Sequence, residues 1–113
     1  MREIKFRAYV NNNQNKYMAI QGEPDLETLE SFMFHYSSEG ILMQFTGLKD
    51  KNGVDIYEGD ILMTEEGDCL VVFEDGGFVY IINKNDSRCP AYNWHLEEIT
   101  VISNSYENPE ICP

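Results

Sequence analysis

The chain has 113 residues, 42% of them hydrophobic and 25% charged, which suits one domain with a real core and argues against global disorder. Twenty Asp and Glu against eight Lys and Arg give a net charge of −12, which opposes unaided binding to phosphate backbones, because such binding draws on cationic side chains. The opening Met-Arg-Glu-Ile-Lys-Phe-Arg lacks the apolar run of a secretion signal, and no stretch approaches the ~18 apolar residues of a membrane span. Three cysteines, Cys69, Cys89 and Cys112, cannot all pair within one chain. A cytoplasmic setting with reduced thiols is therefore expected.

Residues 3–10 alternate with period two. Ile4, Phe6, Ala8 and Val10 share one strand face, and Glu3, Lys5 and Arg7 share the other. The spacing predicts a half-buried strand with a solvated charged face, where Arg2, Lys5 and Arg7 cluster. Asn11 to Asn15 reads as a polar turn, and Lys16 to Gln21 as the partner strand of a hairpin. Gln21-Gly22-Glu23-Pro24 breaks the pattern. Leu26, Leu29, Met33 and Tyr36 then follow a helical spacing after the N-cap candidate Asp25, so a short helix is expected over 26–35, with a strand in its second half as the alternative, since Phe32 and Phe34 extend the apolar character beyond one stripe. His35 has no carboxylate or cysteine at ligand spacing and reads as an ordinary histidine.

Ile41 to Thr46 is a β-type run, expected to end at Thr46-Gly47. Lys49-Asp50-Lys51-Asn52-Gly53 is a turn, since Asn-Gly supplies positive φ readily. Ile56 and Tyr57 are apolar anchors, and Glu58-Gly59-Asp60 is a second tight turn. Ile61 to Thr64, Cys69 to Phe73 and Phe78 to Ile82 read as strands, separated by turns at Glu65-Glu66-Gly67-Asp68 and Asp75-Gly76-Gly77. Asn83 to Pro90 reads as a loop, Tyr92 to Glu98 as a single helical turn, Ile99 to Ser103 as a closing strand, and Asn104 to Pro113 as a tail. Short strands at this spacing suggest a small barrel or a strongly bent sheet.

The run from Met43 through Gln44-Phe45-Thr46-Gly47-Leu48-Lys49-Asp50-Lys51-Asn52-Gly53, followed by Ile56-Tyr57-Glu58-Gly59-Asp60-Ile61, resembles the signature of the YopX family, small proteins encoded by bacteriophages and prophages. Arg2 to Ala8 is similar to that family's N-terminal strand, Phe73 to Phe78 to its hairpin, and Val101 to Glu110 to its C-terminal signature. The departures fall in residues 21–40 and 83–95. The resemblance implies a mainly β fold within 1–113, with an α+β N-terminal lobe over 1–46 and an SH3-like barrel of short antiparallel strands over 47–113. It implies a phage or prophage origin and carries over no catalytic residue. Gly47, Asn52, Gly53, Tyr57, Gly59 and Asp60 read as its structural signature.

The chemical alternatives are thin. Asp50 to Asp55 departs from a calcium loop, because Val54, Asp55 and Ile61 fill positions that need oxygen donors, glycine and glutamate. Cys69, Cys89, His95 and Cys112 lack the paired spacing of a zinc site. Glu58 and Asp60 flank Gly59 closely enough for acid–base work, but short acidic side chains commonly bond turn amides. Cys89 and His95 form no supported nucleophile pair. No cofactor is expected. Tyr80, Tyr92, Trp94 and Tyr106 are aromatic groups of the β-rich half, and Tyr92, Trp94 and Tyr106 are the candidates for partner binding. The expectation is a non-enzymatic accessory protein that binds another protein or itself as a homo-oligomer, not nucleic acid or membrane. The alternative is an acidic decoy that imitates nucleic acid and occupies a basic host protein. A small metal-dependent hydrolase using Glu58, Asp60 and His95 is a third reading.

Overall fold

The computed structural model describes residues 5–11, 16–20, 40–82 and 86–107. The predicted helix over 26–35, and His35 with it, lies outside these residues. The described chain is mainly β. It comprises β1 (Phe6–Asn11), β2 (Lys16–Ile20), β3 (Gly40–Lys49), β4 (Asp55–Tyr57), β5 (Asp60–Thr64), β6 (Gly67–Glu74), β7 (Gly77–Ile82), β8 (Arg88–Pro90) and β9 (Thr100–Asn104). Two single 3-10 turns, Ala91–Asn93 and Leu96–Glu98, precede β9. The strands form two antiparallel sheets, the larger a half-barrel. Among the described residues no helix is long and apolar enough to cross a membrane.

The chain divides into two compact units, Met1–Phe45 and Thr46–Pro113. In the first, β1 is central and pairs antiparallel with both β2 and β3. Phe6, Ala8 and Val10 do share a face, and with Ala19 and Leu42 they make a small core. The opposite face of β1 departs from the expectation. Arg7 is buried rather than solvated, and its Nη2 donates to Met43 Sδ at 3.5 Å. Tyr9 is buried on the same face. A central strand covered on both sides loses the exposed face that its charge alternation suggested.

In the second unit the sheet order is β8-β7-β6-β5-β9. Leu62, Cys69, Val71, Phe78, Tyr80 and Ile82 join Ile56, Trp94 and Ile99 in the core. The β6–β7 connection follows its turn chemistry: Asp75 (φ 53°) and Gly76 (φ 82°) both lie in the left-handed region, the requirement of a two-residue hairpin whose twist suits the strands. Between β5 and β9 the register slips, with Ile61 opposite Ser103 and Leu62 opposite Val101, so Ile102 is an extra bulged residue.

Three boundaries differ from the sequence reading. Strand β3 does not stop at Thr46-Gly47 but runs on to Lys49. Gly47 adopts φ 88°, and Thr46 Oγ1 holds the kink by donating to Ile56 O (2.7 Å) and accepting from Leu48 N (3.1 Å). Ile56 and Tyr57, read as anchors beside a turn, belong to β4. Residues 88–90, read as loop, form β8.

The turn after β3 is built around Asp50, which is buried. Its Oδ1 accepts from Asn52 N (2.8 Å) and Val54 N (2.9 Å), and its Oδ2 accepts from Val101 N (3.0 Å), 51 residues away. Lys51 N donates to Ile99 O (3.1 Å) beside it. Burial opposes ionisation of Asp50, but the amides of Val101, Val54 and Asn52, aided by Lys51, outweigh it and hold the carboxyl below its ordinary value of 3.8. Its contribution to stability is therefore fully present above pH 3.8 and is lost as the pH falls through the lower folded value. Asp50→Asn places amide hydrogens against amide donors. The expected loss is about 2–4 kcal/mol near neutral pH, with a gap to the parent that narrows below pH 3.8. Denaturant melts across pH measure both, and a gap independent of pH would contradict this role for the carboxylate.

Candidate functional site

The signature residues are structural in their contacts. Gly53 N donates to Asp50 O (3.0 Å), and Asn52 N is one of the amides on the Asp50 carboxylate. Tyr57 is buried in the turn region, and its N–H donates to Asp60 Oδ2 (2.8 Å). Gly59 N donates to Val71 O and Gly59 O accepts from Ser105 N, both at 2.8 Å. Asn104, opposite Asp60 in the ladder, accepts from Tyr106 N and Glu107 N through Oδ1. Both carboxylate oxygens of Asp50 thus accept backbone amide hydrogens.

A cavity of about 240 Å³ opens in the second unit, lined by Thr64, Glu65, Glu66, Tyr80, His95, Glu98 and Ile99. Three separate segments make it. The β5–β6 hairpin supplies Thr64, Glu65 and Glu66, and it is locked by Thr64 Oγ1, which donates to Gly67 O (3.0 Å) and accepts from Glu66 N (3.1 Å). Strand β7 supplies Tyr80. The second 3-10 turn and its flanks supply His95, Glu98 and Ile99. Glu65, Glu66, His95 and Glu98 are exposed, whereas Tyr80 is only 5% exposed. The Tyr80 ring stacks on Trp94 with centroids 5.3 Å apart and planes 17° apart. Trp94 is itself fixed, its Nε1 donating to Cys89 O (2.8 Å). The lining thus combines Tyr80, backed by Trp94, with the exposed carboxylates Glu65, Glu66 and Glu98 and with His95.

The three aromatic candidates are placed differently from one another. Tyr92, on the first 3-10 turn, is 87% exposed. Trp94 lies in the core behind Tyr80. Tyr106 is partly exposed in the turn after β9. Of Glu58, Asp60 and His95, only His95 borders the cavity, and Asp60 is 1% exposed. Cys89 does not line the cavity, so Cys89 and His95 do not meet there. Among the described residues no group of three or more His, Cys, Asp and Glu could hold a metal ion. The Cys69 thiol is pushed up from 9.0 by burial, with Glu66 and Asp68 adding and a Thr64 hydrogen bond opposing, which keeps it a neutral core group. Glu65, Glu66 and Glu98 were read only as turn residues. They share no local period, so the sequence carried no signal of their convergence.

Burial raises the Tyr80 phenol above its ordinary value of 10.0, helped by its hydrogen bond to Cys89 and by the negative charge of Glu66. Above pH 10.0 an unfolded chain ionises this tyrosine while the folded one keeps it neutral, so stability falls with rising pH. Tyr80→Phe is expected to make the alkaline decline shallower by removing one proton from the balance. Unfolding free energies measured from neutral to strongly alkaline pH check this, and an unchanged slope would count against a buried neutral phenol.

A family model described as YopX protein matches residues 4–112. Among solved structures, the crystal structure of protein EF1440 from Enterococcus faecalis is similar, with a TM-score of 0.58 and 22% identity over 98% of this chain and 99% of that one. At that identity the likeness concerns the fold. No curated protein matches the chain. Since the family match spans nearly its whole length, the chain belongs to the YopX protein family.

Proposed function

We propose that the chain is a non-catalytic accessory protein of phage or prophage origin that works in the bacterial cytoplasm as a protein-binding module, taking a Lys or Arg side chain of a partner into the acidic cavity of its second unit. The observation that carries this reading is the carboxylate rim of Glu65, Glu66 and Glu98 above the fixed Tyr80–Trp94 stack. At about 240 Å³ the cavity falls below the ~300 Å³ at which small-molecule pockets begin, and its size suits one long side chain. An apolar stem with a charged head matches an aromatic wall with carboxylates at the mouth. The wider charge of −12 would speed the approach of a basic partner and hold off acidic ones. Tyr92, at 87% exposed, offers a further apolar contact.

The rival reading is the acidic decoy, in which charge spread over the whole surface does the binding. A triple variant Glu65→Gln, Glu66→Gln, Glu98→Gln separates the two, because all three side chains are exposed and the change should leave the fold intact. In pull-downs from host lysate at roughly 0.1 M salt, the parent is expected to retain partners that the triple variant loses, with unchanged circular dichroism. Added duplex DNA should not displace them. Equal capture by both proteins would sink the cavity reading, and displacement by DNA would favour the decoy.

A further inference from the structure

Of the ten asparagines in the chain, only Asn52 is followed by glycine. The pair has a chemistry of its own. Glycine carries no side chain beside its amide nitrogen, so that nitrogen can approach the preceding carboxamide more closely than in any other residue. The Gly53 nitrogen loses its proton and attacks Asn52 Cγ. A C–N bond forms, the Cγ–Nδ2 bond breaks, and the carboxamide nitrogen leaves as ammonia. Water then opens the cyclic imide at one carbonyl or the other. The product is aspartate at position 52, or isoaspartate, in which the main chain runs through the side-chain carbon. One water is taken up and one ammonia released, with no change in oxidation state.

The turn acts on the attacking nitrogen. Gly53 N donates to Asp50 O (3.0 Å). Its neighbours Asn52 N and Val54 N donate to Asp50 Oδ1 at 2.8 and 2.9 Å, and Asp50 N donates to Val54 O at 2.8 Å. Four hydrogen bonds therefore close residues 50–54 on themselves, although Asn52 and Gly53 are both exposed. The Gly53 amide must leave Asp50 O before it can turn onto Cγ. A deprotonated amide beside the Asp50 carboxylate also sets like charge against like charge, which disfavours it. Asn104 is restrained differently. Its own carboxamide is held, Oδ1 accepting from Tyr106 N (3.1 Å) and Glu107 N (2.8 Å), while the following Ser105 N donates to Gly59 O (2.8 Å).

We propose that Asn52-Gly53 is a site of spontaneous deamidation held in check by the Asp50 turn, and that the modification, once made, loosens the tie between that turn and Val101. The isoaspartyl product inserts an extra main-chain carbon between the Asn52 and Gly53 amides. The amides of residues 52–54 then lose the spacing by which they converge on Asp50. Either product also places a new carboxylate two residues from Asp50, where repulsion opposes two charges in one turn. Asp50 Oδ2 accepts from Val101 N at 3.0 Å, so a turn that no longer positions Asp50 changes its hold on β9. Refolding does not reverse the reaction, because the isoaspartyl main chain lacks the geometry that restrained it.

The full chain is incubated at mildly alkaline pH, in native buffer and in unfolding urea, and conversion at Asn52 is followed by peptide mass spectrometry. The native chain is expected to convert at least about tenfold more slowly than the unfolded one, since several hydrogen bonds must open first. Below the unfolding transition, added urea should raise the conversion rate in step with hydrogen exchange of the Gly53 amide, because both need the turn open. Asp50→Asn should convert about tenfold faster than the parent in native buffer, and the urea series on the parent applies the same test without a substitution. Isoaspartyl protein separated by ion exchange should show a shifted Val101 amide resonance, whereas Asn52→Gln protein incubated in the same way should show no change with time. Equal rates in native buffer and in urea, or a rate that ignores urea while Gly53 exchange rises, overturns the restraint. An unfolded chain that does not convert at Asn52 overturns the site, and an unchanged Val101 resonance in the isoaspartyl product overturns the link to β9.

Discussion

The half-barrel depends on one buried carboxylate. Asp50 lies just after the long strand β3 and binds the amides of its own turn and of Val101 together. An isolated buried carboxylate is strongly unfavourable, and only a full set of donors makes the burial tolerable. The turn and strand β9 must therefore both be in place before either is favourable. That requirement places Val101, which lies opposite Leu62 in the β5–β9 ladder at the edge of the sheet. Lys51 adds a main-chain bond to Ile99, a core residue. The Asp50 side chain and this main-chain bond together tie residues 50–54 to residues 99–101.

The same device recurs nearby. Asp60 accepts the Tyr57 amide, Thr46 bridges across the Gly47 kink to Ile56, and Asn104 caps the turn of residues 105–107. Each is a polar side chain satisfying backbone groups where the ladder is interrupted. The buried polar side chains of the run from Met43 to Ile61, Thr46, Asp50 and Asp60, are bonded to backbone groups at irregular connections. Net charge alone conceals the distinction. Asp50 and Asp60 are buried acceptors, whereas Glu65, Glu66 and Glu98 are exposed.

How much of this was legible depended on how local each signal is. The alternation of Phe6, Ala8 and Val10 and the turn chemistry of Asp75-Gly76 are encoded within a few residues, and both match the structure. Strand β8 was missed because three polar-flanked residues carry no period, and only pairing with Val79, Tyr80 and Ile81 defines it. Strand β3 was cut short because a glycine in a strand reads as an end, while the Thr46 hydroxyl that carries the strand through it bonds ten residues away. Arg7 looked solvated because its cover is tertiary. The cavity was the least legible feature, for it gathers hairpin, strand and 3-10 turn residues whose only common property is their position after folding.

The walls of that cavity are built from the same core as the larger sheet. Tyr80 lies opposite Val71 on one side and Cys89 on the other, so its ring direction is set by two neighbouring strands. Trp94 presses on it from the connection before β9 and is held by the Cys89 carbonyl. Ile99, which lines the cavity, belongs to the core and receives the Lys51 amide bond. Whatever loosens the Asp50 turn therefore loosens the Ile99 wall, while the glutamates at the rim, which belong to exposed turns, can change without disturbing either. The exposed charge of the rim and the backbone connections of the fold are thus carried by different residues, the former in turns and the latter centred on Asp50.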